Sequence, residues 1–281
     1  MSENVSKKED DIEASKAPLI THLIELRDRL KWAVLFFFLS FCICYYFANS
    51  IYDFLVDPLY QIYIKNGIEN PRMIYTALTE AFFTYLKVSF YGALFISFPI
   101  LAMQIYKFAA PGLYKNEKSA FLPFLIATPL LFASGAALVY YFIFPLAWNF
   151  FLGFQTSTAE AGMAIELEAK VNEYLSLVLK LMFAFGLAFQ IPVALTLLAR
   201  AGLVNSSQLK KRRKYAIVIA FVVAAILTPP DLISQIGLGI PIIVLFEISI
   251  LLAVFFENKK VKTKNKSKAK KKLFGETDFN E

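Results

Sequence analysis

The sequence predicts an all-α integral membrane protein with six transmembrane helices and with both the N and the C terminus in the cytoplasm. The chain has 281 residues, of which 58% are hydrophobic and 18% charged, and its mean hydropathy is +0.55. A soluble protein is closer to half apolar and a quarter charged. The apolar excess is concentrated in runs long enough to cross a bilayer, which takes about 20 residues each.

The first three spans follow from runs with almost no charge. Residues 32–52 contain no charged side chain, and residues 81–106 contain only Lys87. The run from 119 to 159 lacks Asp, Glu, Lys and Arg, and it is too long for a single span. Pro145 and the sequence WNF (148–150) predict that span three ends near there and that an apolar surface segment follows.

Spans four, five and six lie in the second half of the chain, at residues 172–199, 215–228 and 232–256. Span five is bracketed by Lys214 and Pro229, and its helix would cover about 21 Å, less than a hydrocarbon core of about 30 Å. A short hairpin either thins the bilayer locally or needs partners around it. Alternatively, the helix begins inside the preceding basic run, whose side chains reach back to the surface.

Lysine and arginine set the orientation. Alternate loops and the two tails hold 24 of these residues, against 3 on the other side, which places both termini in the cytoplasm. Residues 1–17 form a polar N-terminal tail, residues 18–256 the membrane domain, and residues 257–281 a basic, disordered C-terminal tail. We assign the net charge of +7 to topology and to contact with the lipid bilayer, and expect no nucleic-acid partner.

The motifs give no support for an enzyme. The chain contains no phosphate-binding loop, no HExxH motif and no Gly-x-Ser-x-Gly elbow. Its one histidine, His22, belongs to a cytoplasmic segment, so no histidine is available for a site inside the membrane. Cys42 and Cys44 do not form a CxxC motif, and we expect buried free thiols. We therefore expect no catalytic residues, no metal site and no cofactor.

Polar side chains inside apolar spans are costly and point to function by default. Lys87 and Lys180 lie near the predicted outer surface, where their ammonium groups can reach water. Gln190 is deeper. Glu247 is the carboxylate expected deep in the membrane, either protonated by burial or paired with a donor from another helix. Lys87, Lys180 and Glu247 would also suit a secondary transporter of a small solute, although the two halves show no internal repeat.

Two acids on the predicted cytoplasmic side, Glu25 and Glu117, stand in strongly basic surroundings. Glu25 and Arg29 are four residues apart, a spacing typical of an ion pair on a helix surface. The alternative is a carboxylate that receives a guanidinium from another molecule, because the planar fork of arginine donates two hydrogen bonds to one carboxylate. Spacing alone favours the ion pair.

Five stretches, in order along the chain, resemble the TatC family, the membrane receptor of twin-arginine protein translocation. They are HLIELRDRL (22–30), FPILAMQIYKFAAPGLYKNEK (98–118), FGLAFQIPV (185–193), RKYAIVIAFVVAAILTPPDLISQ (213–235) and IPIIVLFE (240–247). The resemblance covers nearly everything from Pro18 to Phe256 and leaves out the two tails.

The resemblance implies a fold and a function. TatC-like proteins have six helices in a curved, cupped bundle in the bacterial cytoplasmic (inner) membrane. They bind twin-arginine signal peptides at the cytoplasmic face and support transport of folded proteins driven by the proton-motive force. Their partners are single-span TatA-type and TatB-type proteins, and self-association is expected.

The resemblance also assigns residues by motif position. The signal-peptide-binding set is Glu25, Arg27, Phe108, Pro111, Leu113 and Glu117. The polar positions inside the membrane where partner helices dock are Gln190, Thr228, Gln235 and Glu247, and Pro58 is a sensitive position in the first outer loop. With the resemblance, the external guanidinium becomes the favoured interpretation of Glu25 and Glu117.

One position departs from the family pattern. Many family members have a glutamate in span four where this chain has Gln190. An amide keeps the capacity to donate and accept hydrogen bonds but has no titratable proton. We therefore expect a polar docking point at this position and no proton carrier.

Overall fold

The computed structural model describes residues 3–68, 70–113, 122–155, 167–227 and 232–275. Side chains are described within residues 23–68, 70–106, 123–155, 167–200, 202–227, 232 and 235–257. Apart from two strands of two residues each, the regular elements in these ranges are helices. This observation confirms the predicted all-α class.

Ten α-helices, one π-helical turn and two strands make up the described part of the chain. They are α1 (Glu3–Tyr46), α2 (Ala48–Lys65), β1 (Met73–Ile74), α3 (Glu80–Leu113), α4 (Leu122–Leu138), the π turn (Val139–Ile143), α5 (Phe144–Leu152), β2 (Ala169–Lys170), α6 (Val171–Ala188), α7 (Ile191–Ala201), α8 (Ser206–Lys211), α9 (Arg213–Leu227) and α10 (Leu232–Gly275).

Within the described ranges, five segments are long and apolar enough to cross a membrane. They are Leu23–Tyr46, Glu80–Tyr106, Pro123–Leu152, Val171–Arg200 and Gln235–Glu257. The remaining predicted span corresponds to α9, which has 15 residues and covers about 22 Å at 1.5 Å per residue. The predicted shortness of span five is therefore confirmed, and its helix begins at Arg213 within the basic run.

Span one ends earlier than predicted. Helix α1 stops at Tyr46 and α2 begins at Ala48, so residues 48–52 open a second helix. The sequence from 32 to 52 is uncharged throughout, and apolar composition alone does not mark where one helix ends and the next begins.

Span three continues through Pro145. Pro145 has no N–H and would clash with the carbonyl four residues before it in a regular α-helix. The chain widens into the π turn instead, in which the Phe144 N–H donates to the Val139 carbonyl. Helix α5 then continues the span to Leu152. Span three therefore passes Pro145 and ends at Leu152, two residues after the sequence WNF (148–150). The apolar surface segment predicted to follow falls largely outside the described residues.

The described residues divide into two compact units. The first comprises Met1–Tyr52 and Tyr85–Leu125, and the second comprises Asp53–Thr84 and Ile126–Glu281. In the first unit, the rings of Phe37 and Phe90 meet edge to face at a centroid distance of 5.4 Å, which joins α1 to α3.

The second unit packs helices closely through glycine. A Cβ atom at Gly135 on α4 would lie 2.6 Å from the Phe185 carbonyl oxygen on α6, and one at Gly186 would lie 2.5 Å from the Phe132 ring. Small residues let membrane helices approach to backbone contact. A second core in this unit joins α7, α8 and α10 through Ala199, Leu209, Ile250 and Ala253.

Helix α10 continues to Gly275. This helical backbone differs from the disordered tail that the composition of residues 257–281 predicts. Lysine, which supplies nine of residues 257–275, is a good helix former, so a high charge density does not by itself prevent a helix.

Candidate functional site

Glu25 lies on α1 and is paired within its own helix. The Arg29 Nε donates to Glu25 Oε1 at 3.0 Å, and Arg29 Nη2 contacts the same oxygen. The side chains of Arg29 and Glu25 are 23% and 37% exposed. The ion pair expected from the four-residue spacing is confirmed, and it shows that this carboxylate accepts a guanidinium in this setting.

Gln104 on α3 extends this arrangement. Its Oε1 atom lies 3.5 Å from Arg29 Nη1, at the limit of a hydrogen bond. Spacing along the sequence pointed to Arg29, but no signal in the sequence pointed to Gln104, because the two residues are 75 positions apart. We refer to Glu25, Arg29 and Gln104 as the N-terminal polar cluster.

Arg27 does not join this cluster. Its Nε donates to Asp28 Oδ1 at 3.1 Å, and Lys31 Nζ lies 3.5 Å from the same oxygen. Both cations are well exposed, at 61% and 66%. The structure therefore separates Glu25 from Arg27, although the two are neighbours in the same motif.

The remaining members of the predicted peptide site are only partly described. Phe108, Pro111 and Leu113 lie in the last turns of α3, but their side chains fall outside the described residues. Glu117 also lies outside them. The juxtaposition of Glu25 with Glu117 therefore stays a prediction.

Gln190 sits at a break in span four. Helix α6 ends at Ala188 and α7 begins at Ile191, with Pro192 in the first turn of α7. The Gln190 Nε2 donates to the Thr128 carbonyl at 2.9 Å. Its Oε1 atom is buried and has no hydrogen-bond partner among the described residues. One end of the amide thus binds α4, and the other is an unsatisfied acceptor.

Glu247 is paired with a cation from another helix. Arg213 Nη2 donates to Glu247 Oε2 at 2.7 Å, and both side chains are nearly half exposed. Of the two alternatives for this residue, pairing is therefore the one observed. Arg213 is the first residue of α9 and belongs to the basic run. Glu247 therefore lies next to that run and is not isolated among the apolar side chains of span six.

Gln235 also joins α9 to α10, since its Nε2 lies 3.4 Å from the Phe221 carbonyl oxygen. A Cβ atom at Gly239 would lie 3.0 Å from the Phe221 ring, which makes this helix pair tight. Thr228 lies outside the described residues. The structure thus brings Gln235 and Glu247 onto the α9–α10 pair, while Gln190 contacts α4.

Pro58 has a clear physical role. It is buried inside α2, and the N–H that it lacks would have bonded to the Phe54 carbonyl. The Tyr140 hydroxyl donates to that carbonyl at 2.8 Å, and the rings of Phe54 and Tyr140 stack at a centroid distance of 4.5 Å. The proline therefore creates an acceptor that a residue of the π turn satisfies.

A second tyrosine binds the adjacent carbonyl. The Tyr174 hydroxyl on α6 donates to the Leu55 carbonyl at 2.9 Å. We refer to Phe54, Leu55, Pro58, Tyr140 and Tyr174 as the proline brace. It ties α2 to spans three and four of the second unit through hydrogen bonds to backbone.

The segments that precede α3 and α6 are joined to each other by backbone pairing and by an ion pair. Strands β1 and β2 pair in parallel, Met73 with Ala169 and Ile74 with Lys170. Arg72 Nη2 donates to Glu168 Oε1 at 2.8 Å beside them. Burial raises the pKa of the Tyr63 phenol on α2.

Metal and thiol chemistry receive no support from the described side chains. Within the ranges given above, no group of three or more His, Cys, Asp or Glu side chains could hold a metal ion. Cys42 and Cys44 are both free thiols. Cys44 is buried as predicted, but Cys42 is exposed, so the prediction of a buried thiol is wrong there.

Comparisons with known proteins agree with this architecture. The family described as "Sec-independent protein translocase protein (TatC)" matches residues 21–241. The TatC protein of Magnetococcus marinus is 51% identical over 250 residues, which cover 89% of this chain and 88% of that protein. The TatC protein of Rickettsia prowazekii is 45% identical over 236 residues, which cover 84% of this chain and 92% of that protein.

A solved structure shows the same fold. The crystal structure of a twin-arginine translocase receptor, TatC, superposes with a TM-score of 0.72 at 38% sequence identity, and covers 84% of this chain and 99% of that one. This agreement confirms the predicted six-span fold class. The chain therefore belongs to the TatC family and is a multi-pass membrane component of the Sec-independent protein translocase.

Proposed function

We propose that this chain is the receptor and core subunit of the twin-arginine translocase in a bacterial cytoplasmic membrane. It binds twin-arginine signal peptides through the N-terminal polar cluster and through the loop after α3, which contains Glu117. It also supports transport of folded proteins driven by the proton-motive force. The observation that supports this proposal most directly is the Arg29 guanidinium on Glu25. The carboxylate already makes, with an internal arginine, the contact that a signal-peptide arginine requires.

An incoming arginine would exchange with Arg29. Ion pairs between residues four apart on a helix contribute only about 0.3–0.5 kcal/mol. An arriving guanidinium can replace such a contact at little cost, and the released Arg29 remains within reach of Gln104. In this proposal Glu25 receives one arginine of the pair and Glu117 receives the other.

The polar positions in the membrane would serve TatA-type and TatB-type partner helices. The unsatisfied Oε1 of Gln190 supports such a role, because an unpaired buried acceptor costs about 1–3 kcal/mol and a hydroxyl or amide from a docking helix would relieve that cost. Gln235, Thr228 and Glu247 would provide further polar contacts along α9 and α10. Since Gln190 does not titrate, proton coupling would not reside on it.

The peptide site is tested by photo-crosslinking a twin-arginine signal peptide to the full-length protein in membranes. We expect Glu25→Gln and Glu117→Gln each to reduce crosslinking several-fold, because each removes one charged acceptor. Asp53→Asn, which removes an exposed carboxylate of α2, is the matched control and should crosslink normally. Unchanged crosslinking in both glutamate variants would overturn the assignment of the site.

Function in transport is tested in a deletion strain. We expect the chain, expressed with its partners, to restore export of a folded reporter that has a twin-arginine signal. Gln190→Leu should reduce export or change the crosslinks to partner helices, and wild-type behaviour of that variant would leave Gln190 a packing role only. Uptake of a small solute by the purified protein alone in liposomes would favour a transporter.

A further inference from the structure

Five consecutive cations occupy the corner between α8 and α9. They are Lys210, Lys211, Arg212, Arg213 and Lys214. Helix α8 ends at Lys211 and α9 starts at Arg213, so Arg212 forms the corner and the cations lie on both sides of it. We propose that this corner is a binding site for the phosphodiester headgroup of an anionic phospholipid.

The corner is held in place by several polar and apolar contacts. The Ser206 N–H donates to Glu257 Oε1 at 2.7 Å, and the Ser206 hydroxyl donates to the other oxygen of the same carboxylate at 2.5 Å. The Leu209 side chain is buried in the core formed with α7 and α10. Helix α8 is therefore anchored at its start and along its inner face. Its cations stand on a fixed backbone, which lowers the entropic cost of binding a headgroup.

The positive charge of the corner is poorly compensated. Arg213 is paired with Glu247, while Glu257 accepts hydrogen bonds from Ser206. Lys210, Lys211, Arg212 and Lys214 are all exposed, and none forms an ion pair with a carboxylate among the side chains that the structure describes. Adjacent like charges repel one another, so an anion at this corner would stabilise the arrangement.

An apolar helix surface lies directly beyond the cations. Val218, Ile219 and Val222 on α9 are more than half exposed, and they lie roughly 6–12 Å along the helix from Lys214. Tyr215 is also exposed, and Lys214 Nζ lies 5.3 Å from the centroid of its ring. Along α9, cations are followed by an aromatic ring and then by aliphatic side chains. This order complements a phospholipid, in which an anionic headgroup is followed by the interfacial region and then by the acyl chains.

Because α9 is short, a lipid bound at this corner would set the depth of the helix in the bilayer. A helix of about 22 Å brings its terminal cations nearer to the hydrocarbon core than a span of full length would. The mismatch is relieved when the bilayer thins or when flanking side chains reach the headgroups. An anionic lipid retained at the corner would let the bilayer thin beside α9 and would let the flanking side chains reach a headgroup. It would thereby hold α9 at a fixed depth in the membrane. This proposal does not depend on recognition of signal peptides.

The test uses the full-length protein reconstituted with phosphatidylglycerol and phosphatidylcholine, followed by native mass spectrometry of the lipids that stay bound. The variant Lys210→Gln, Lys211→Gln, Arg212→Gln, Lys214→Gln removes the four uncompensated cations and keeps Arg213 with Glu247. We expect its retention of phosphatidylglycerol to fall at least about tenfold, with little change for phosphatidylcholine.

The matched control has four substitutions in the C-terminal tail, Lys268→Gln, Lys270→Gln, Lys271→Gln and Lys272→Gln, which change the net charge equally. We expect it to retain phosphatidylglycerol as the wild type does. Equal loss in both variants would show attraction by net charge alone and would overturn the site, as would unchanged retention in the corner variant. Labelling of the termini must show the same topology in all three proteins, since these cations also contribute to orientation.

Discussion

The proline brace and the N-terminal polar cluster both place a donor on a carbonyl or carboxylate oxygen, but they differ in what surrounds the contact. In the brace, the two donors are tyrosine hydroxyls whose side chains are 6% and 7% exposed, and the acceptors are backbone carbonyls. In the cluster, both partners are side chains in contact with solvent. Buried bonds to backbone fix geometry because water cannot replace them, whereas an exposed ion pair can be exchanged for another cation.

The free-energy cost of losing a contact also differs between the brace and the cluster. Loss of one partner of a buried hydrogen bond costs about 1–3 kcal/mol, because the remaining group stays unsatisfied. Loss of an exposed pair four residues apart costs about 0.3–0.5 kcal/mol. The brace is thus suited to setting structure, and the cluster to exchanging ligands. Three substitutions test this difference, in order of decreasing effect.

The largest effect is expected from Gly135→Val, in the same unit as the brace. Its new Cβ atom would lie 2.6 Å from the Phe185 carbonyl oxygen, and backbone cannot move aside as a flexible side chain can. We expect destabilisation by more than about 3 kcal/mol, measured as loss of folded protein in a thermal aggregation assay. Gly237→Ala is the control, because its Cβ would meet only side-chain atoms at 3.9 Å. Equal folding of both variants would contradict the close approach of α4 and α6.

An intermediate effect is expected from Tyr174→Phe, which removes the hydroxyl from the Leu55 carbonyl and keeps the ring. The cost should be about 1–3 kcal/mol, visible as a lower melting temperature and faster hydrogen exchange in α2. Tyr141→Phe, one residue from Tyr140 but exposed, serves as the comparison and should change neither quantity. If the two variants melt together, the hydroxyl contributes nothing and the brace is a packing contact only.

The smallest effect on stability is expected from Arg29→Gln. It should lower the free energy of unfolding by no more than about 0.5 kcal/mol. In the proposed function it should also raise the affinity for a twin-arginine peptide about twofold, since Glu25 no longer has a competing guanidinium. Lys31→Gln, on the same helix and well exposed, should leave both measurements unchanged. A fall in affinity as large as that of Glu25→Gln would instead make Arg29 a residue that positions the carboxylate.

Composition and charge predicted most of this fold, because placing polar groups in lipid is costly. Charged residues are therefore scarce in the membrane spans, and the spans can be located from the sequence. The apolar runs, the short span five and the i, i+4 pair of Glu25 and Arg29 all follow from local rules. The end of span one and the π turn of span three did not, since uncharged residues continue through the break at Phe47 and through that turn. Apolar composition does not report where one helix ends and the next begins.

The candidate site was predictable only where its contacts are local. Arg29 was found by spacing, but Gln104 reaches it from another helix and no pattern relates the two. Glu247 was expected to be either protonated or paired with a donor from another helix, but no pattern in the sequence identified that donor as Arg213, which is 34 residues away. Likewise, Pro58 was singled out by resemblance alone, whereas the reason for it is the carbonyl of Phe54 and the hydroxyl of Tyr140.

The π turn of span three has a consequence for the phase of the helix. Phe132, Ala136, Tyr140, Phe144 and Trp148 recur at every fourth residue, and each is less than 10% exposed. In an uninterrupted α-helix, residues at every fourth position are rotated around the helix axis by about 40° from one to the next. Over the four steps from Phe132 to Trp148 this rotation amounts to about 160°. One extra residue in a wide turn removes about 100° of that rotation, so the row stays on one face. A strict period of four in an apolar span therefore predicts a wide turn within it.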